Sequence, residues 1–134
     1  AGAPLFEGAD VAILLSTPPE LVSGSTRMGA GTAQKIALNM FSTLTAVRLG
    51  HVFEGQMVNL RIDNIKLRQR AVRMVASIAG LTEVDAARFI DEAGGSVKAA
   101  LLLASGAGDK ASAEALLAGN NDNVRLALEA LRRK

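Results

Sequence analysis

Residues 18 to 35, PPELVSGSTRMGAGTAQK, gather the side chains best suited to chemistry. Ser23, Ser25, Thr26 and Thr32 supply hydroxyl donors, and Arg27 offers a planar fork that suits phosphate or carboxylate. Gly24, Gly29 and Gly31 permit close backbone approach by a ligand. A long apolar helical segment follows directly. The first N–H groups of a helix lack intrahelical partners and, with the helix dipole, favour an anion. The residues alone leave two readings open: an anion cradle, or a strand-to-helix loop with ordinary Ser or Thr capping. The glycine–lysine spacing does not fit a Walker loop.

Other chemical candidates are few. Glu20 is the only carboxylate near the loop. It could act as a base, cap the helix or pair with Arg27, but the second acid or base that proton transfer usually needs is not beside it. His51, the single histidine, sits beside Gly50 and suits a surface or packing role better than catalysis or a metal site. Asn64 falls on an apolar helical stripe, which predicts a buried polar group with a definite, structural partner. Lys66, Arg70 and Arg73 share another face and read as a solvated row. There is no cysteine, so neither a disulfide nor thiolate chemistry is available, which suits a reducing compartment.

The elements that must position these residues follow from hydropathy and punctuation. VAILLS, residues 11 to 16, reads as a short buried strand, and Pro18-Pro19 prevent an immediate helix. From about Thr32 to Leu49 the chain is apolar nearly all round, which predicts a helix buried on most sides. GHVFEG, residues 50 to 55, reads as a connector. A second long helix is predicted from about Gln56 to Ala79, with a stripe of Leu60, Leu67, Ala71, Val75 and Ile78 and a stop at Gly80. A lone strand cannot make a sheet. The chain therefore either borrows strands from a partner or is the back part of something larger. An open strand edge predicts a dimer or higher oligomer.

The last 53 residues carry an internal repeat. AARFIDEAGGSVKAAL begins at Ala86 and AEALLAGNNDNVRLAL at Ala113. Ala86, Phe89, Ile90, Val97, Lys98, Ala100 and Leu101 match Ala113, Leu116, Leu117, Val124, Arg125, Ala127 and Leu128 in kind. Each unit reads helix, tight turn, helix, with Thr82, Ser96, Asp109 and Asn123 at the N-cap positions. The result is a small bundle of four short helices. Two repeats are too few for a solenoid.

Hydrophobic residues make up 49% of the 134 and charged residues 21%, enough for a packed core. A formal net charge of +2, four Phe and no Tyr or Trp argue against nucleic acid as a partner. The N-terminal residues lack the basic region of a signal peptide, and no apolar run approaches a membrane span, so a soluble protein is expected.

PELVSGSTRMGAGTAQKIALNMFSTLTAVRLGHVFEGQMV, followed by NIKLRQRAVRMV, closely resembles the back part of N-acetylmuramic acid 6-phosphate etherases. Glucokinase regulatory proteins share the signature, and both belong to the sugar isomerase (SIS) superfamily. The resemblance continues through AGGSVKAAL and so covers nearly the whole chain. It implies a mainly α chain: one short strand and two long helices from the back of an SIS-type α/β doubly wound domain, residues 1–80. A small four-helix bundle resembling the ubiquitin-associated type would follow, residues 81–134.

The resemblance also implies an activity, a lyase-type removal of the D-lactyl ether that yields N-acetylglucosamine 6-phosphate and D-lactate. It implies no metal and no organic cofactor. The family's catalytic glutamates and serine-rich phosphate loops belong to the front half, so this chain alone is expected to be inactive and its own catalytic residues are unassigned. By resemblance, Ser25, Thr26 and Arg27 belong to the substrate pocket, with Glu20, Ser23, Lys35, Asn64 and Lys66 as pocket or supporting residues. A cytoplasmic homodimer acting on a phosphosugar in cell-wall sugar recycling is implied, with neither nucleic acid nor membrane as partner. The alternative is a non-catalytic sugar-phosphate-binding regulatory module. Departures from the family pattern bear on that choice: Pro18 replaces a glycine, Gly29 the lysine usual after TRM, His51 and Phe53 a lysine and a tyrosine, and Asn59 a frequent aspartate.

Overall fold

A computed structural model describes residues 4–133 of the chain. Among them are six helices and one two-stranded sheet: α1 (Gly29–Arg48), β1 (Val52–Phe53), β2 (Gln56–Met57), α2 (Ile65–Ala79), α3 (Glu83–Glu92), α4 (Val97–Ala104), α5 (Lys110–Ala118) and α6 (Val124–Arg132). A single 3-10 turn covers Pro4–Phe6. The protein is mainly α. Its contacts divide the chain between Leu44 and Thr45, and each unit is described by itself.

In the first unit the expected strand at residues 11–16 does not form, and that stretch belongs to no helix or strand. Val11, Ile13 and Leu14 are well exposed, and a strand without a neighbour has no ladder to satisfy its backbone. The helix predicted from Thr32 begins three residues earlier, at Gly29. Contrary to expectation, no residue of α1 is buried. Ile36, Leu38, Met40, Phe41 and Leu44 are all more than half exposed. An all-round apolar pattern selects a helix that favours burial, but it does not specify the surface that buries it.

The second unit holds the core. Val52 pairs with Met57 and Phe53 with Gln56 in an antiparallel hairpin, where only a connector was expected. Glu54 and Gly55, at φ 47° and 70°, make the two-residue turn with both central residues left-handed that suits strand twist. The second long helix therefore starts at Ile65 and not at Gln56. Asn64 is its N-cap, the Oδ1 accepting the Leu67 N–H at 2.9 Å. Asn64 is exposed, so the buried stripe expected to include it ends short of it. Helical phase extends backwards past a cap, which is why the stripe misled. Gly80, at φ 67°, stops α2 as expected, its N–H donating to the Ala76 carbonyl.

All four N-caps in the repeat region form. Thr82, Ser96, Asp109 and Asn123 accept N–H bonds from Asp85, Ala99, Ser112 and Leu126 respectively. Matched repeat positions also share burial: Ala86 with Ala113, Val97 with Val124, and Ala100 with Ala127 are each at most 1% exposed. The turns agree as well. Gly95 donates its N–H to Ile90 and Asp122 to Leu117, both at 2.8 Å. In α4 every residue from Val97 to Leu103 is buried, since it packs against α2, α3, α5 and α6. Burying such a Leu or Ile contributes about 2–3 kcal/mol each. Residue 80 lies inside this contact unit, because α2 packs on both α3 and α4.

Candidate functional site

The loop from Glu20 to Gly31 folds back onto the start of α1. Glu20 is half-buried, and its Oε1 accepts the N–H of Gly29 at 2.9 Å and of Ala30 at 3.2 Å. The Gly31 N–H donates to the Thr26 carbonyl at 2.7 Å. The first three N–H groups of α1 are thus all taken by the chain itself. Within the loop, Ser25 N–H donates to the Val22 carbonyl at 3.1 Å, and Gly24 sits at φ 79° inside that turn, where a glycine is least strained. Ser25 Oγ accepts the Arg27 N–H at 3.3 Å.

The loop therefore brings together Glu20, Ser23, Ser25, Thr26 and Arg27 in one small structure. Ser23, Thr26 and Arg27 are exposed and Ser25 is half-buried. Glu20 caps the helix and does not pair with Arg27. Among the described residues neither Arg27 nor Lys35 makes an ion pair, and Lys35 lies exposed in the second turn of α1. Of the open readings, the backbone favours capping, with a carboxylate in place of Ser or Thr. The outward groups keep the hydrogen-bonding capacity for an anion.

In the second unit Asn64 spends its side-chain oxygen on the α2 cap, and Lys66 stands exposed in the first turn of that helix. Arg70 and Arg73 are exposed, as a solvated row requires. His51 acts through its backbone: its N–H donates to the Ala46 carbonyl at 2.9 Å and its carbonyl accepts from Val58 at 2.9 Å. Among the described residues no group of three His, Cys, Asp or Glu could hold a metal ion, and no helix is long and apolar enough to cross a membrane. A hollow of about 370 Å³ lies along α1, lined by Ile36, Asn39, Met40, Thr43 and Leu44, away from the loop residues.

Sequence reading missed a charged pair with a buried lysine. Lys98 is buried, and its Nζ donates to the Asp122 carbonyl at 2.7 Å and to Asp122 Oδ2 at 2.5 Å. A lysine inside the apolar run VKAALLLA was the available signal.

No family model matches the chain. Curated relatives do. It is 43% identical over 122 residues to an N-acetylmuramic acid 6-phosphate etherase of Prochlorococcus marinus, covering 91% of this chain and 39% of that protein. An etherase of the same name from Symbiobacterium thermophilum is 54% identical over 98 residues, covering 73% of this chain and 33% of its own length. One from Cronobacter sakazakii is 40% identical over 128 residues, covering 96% of this chain and 43% of its own. The chain thus spans about two fifths or less of the length of the relatives it matches most strongly, and it aligns with their C-terminal portion. By sequence, this chain belongs to the N-acetylmuramic acid 6-phosphate etherase family, as a C-terminal portion of it.

Proposed function

We propose that the chain supplies one wall of the substrate pocket of a phosphosugar etherase. The observation that carries this reading is the loop itself. Glu20 pins it to α1, while Ser23, Thr26 and Arg27 are left exposed to meet an anionic sugar. The relatives' name supplies the substrate class, N-acetylmuramic acid 6-phosphate. The reaction would be elimination of lactate across C2–C3 followed by addition of water, giving N-acetylglucosamine 6-phosphate and D-lactate. It needs a base for the proton on C2 and an acid for the leaving lactate. In this reading those groups belong to the portion of the relatives that the chain does not match. This chain's residues bind and orient. Lys35 adds a second cation near the loop in sequence, and the family resemblance adds Asn64 and Lys66 as supporting residues.

The same reading treats residues 1–80 as part of an SIS-type phosphosugar domain and residues 81–134 as a bundle of the ubiquitin-associated type. It makes the working enzyme a cytoplasmic homodimer in amino-sugar recycling. The apolar residues exposed on α1 support a helix that packs against further protein. Gly29, where the family's lysine is usual, favours a second reading, a sugar-phosphate-binding regulator without etherase activity. D-lactate release from N-acetylmuramic acid 6-phosphate separates the two. The chain joined to the N-terminal portion of a relative releases lactate in the first reading and only binds the sugar phosphate in the second.

A further inference from the structure

We propose that Glu20 is a positioning residue: it serves as the fixed anion of the α1 start, so that substrate anions are met by side chains of the loop and not by the helix N-terminus. The inference deepens the pocket reading above and rests on it. Three observations carry it. The carboxylate accepts two of the first three N–H groups of α1, and the third goes to Thr26. An anion placed there would meet a like charge in its way. Gly29 makes room for this arrangement, since a β-carbon there would lie 3.3 Å from Glu20 Oε1 and 3.7 Å from Thr17 Cβ. Finally, Glu20 and Gly29 close the loop at its two ends, so the carboxylate sets where Ser25, Thr26 and Arg27 stand. A glutamate so engaged holds its oxygen on backbone donors and is poorly placed to take a proton from a sugar carbon.

The test compares the full chain with Glu20→Gln, which keeps an acceptor oxygen without the charge, and with Glu20→Ala. Amide exchange at Gly29 and Ala30 is read alongside titrations with N-acetylglucosamine 6-phosphate and with inorganic phosphate. Amide resonances of residues 45–134 report that each variant is folded. Glu20→Gln is expected to keep both amides protected and sugar-phosphate affinity within about twofold. Glu20→Ala should exchange about fivefold faster at both amides and bind the sugar phosphate correspondingly more weakly. In Glu20→Ala alone, inorganic phosphate should shift the Gly29 and Ala30 resonances. Unchanged exchange in Glu20→Ala overturns the proposal, as does phosphate shifting those two amides in the unaltered chain. Loss of binding in Glu20→Gln with the amides still protected also overturns it, because Glu20 would then act on the sugar phosphate itself and not through the placement of the loop. If the unaltered chain binds no sugar phosphate, the pocket reading fails while the exchange comparison still decides the role of Glu20.

Discussion

The buried ammonium of Lys98 in α4 is held by Asp122, through the backbone carbonyl at 2.7 Å and the carboxylate at 2.5 Å. Asp122 can reach it because it stands at φ 56° in the turn before α6, the place that Gly95 fills, at φ 87°, in the first repeat unit. The second turn thus uses a left-handed aspartate where the first uses glycine, and gains a charge partner for the core. The Lys98 side chain is 5% exposed and that of Asp122 59%, so water reaches only one end of the pair. Asp122→Asn, which keeps the tolerance for φ > 0, should destabilise by about 1–2 kcal/mol, below the figure for a fully buried pair. Lys98→Met, close in volume, should cost less than about 1 kcal/mol. Urea unfolding of both variants checks the order, and equal losses would contradict it.

Gly50 and Gly55 make a controlled pair. Both have positive φ, 68° and 70°. A β-carbon on Gly50 would lie 2.9 Å from Cα, Cβ and Cγ of Asn123, whereas Gly55 has nothing within 4 Å. Gly50→Ala should therefore cost about 3 kcal/mol, combining left-handed strain with a backbone clash at the α6 cap. Gly55→Ala should cost only about 1 kcal/mol, for the strain alone. Thermal melting compares them, and similar midpoints would contradict the seating of the post-α1 turn on Asn123.

Much of the second unit was legible because its determinants are local. A Thr, Ser, Asp or Asn at an N-cap satisfies a donor three residues away, so Thr82, Ser96, Asp109 and Asn123 could be placed from spacing alone. Asn64 is the same kind of residue, yet it was absorbed into a helical stripe because the period ran on through it. The hairpin was hidden by its brevity, two residues a strand, although Gly55 marked the turn. In the first unit the chemistry-bearing residues of the loop could be chosen from type and resemblance. Their arrangement could not, because it depends on Glu20 reaching Gly29 across nine residues. The strand expected at 11–16 and the burial expected for α1 both depend on a second surface, which no local pattern encodes.

Asp109 gives a pH signature to the second unit. The Ser112 backbone N–H and then the Ser112 hydroxyl hold its carboxyl below the usual carboxylate range, against an opposing effect of desolvation, and the Ala111 N–H adds the smallest effect in the lowering direction. Because the folded state depresses this value, the contribution is complete above the unfolded-state value and is lost as pH falls through the folded one. Asp109→Asn keeps an acceptor oxygen but does not titrate. The unaltered chain should be the more stable of the two at neutral pH, and the gap should close as the solution is acidified through the carboxylate range. Urea midpoints across that range test this, and a gap that widens on acidification would contradict it.

In the proposed pocket, Arg27 is the residue whose exposed planar fork best suits an anion. Arg27→Ala should weaken binding of N-acetylglucosamine 6-phosphate about tenfold, and Arg27→Lys less, because a lysine keeps the charge but loses the fork. Gly29→Lys should push Glu20 Oε1 back by a few tenths of an ångström, since the new β-carbon would lie 3.3 Å from it, and still tighten binding about threefold by adding a cation. Calorimetric titration reads both changes. An Arg27→Ala variant that binds as well as the unaltered chain would remove Arg27 from the pocket.

The central claim is that this chain forms one wall of an etherase pocket. It is tested most directly by replacing the matching portion of the Symbiobacterium thermophilum etherase with this chain and measuring D-lactate released from N-acetylmuramic acid 6-phosphate. The account predicts release by the chimera, its loss to about a tenth or less with Arg27→Ala, and none from the chain alone. A folded chimera that binds the sugar phosphate but releases no lactate, beside an active parent, would contradict the claim.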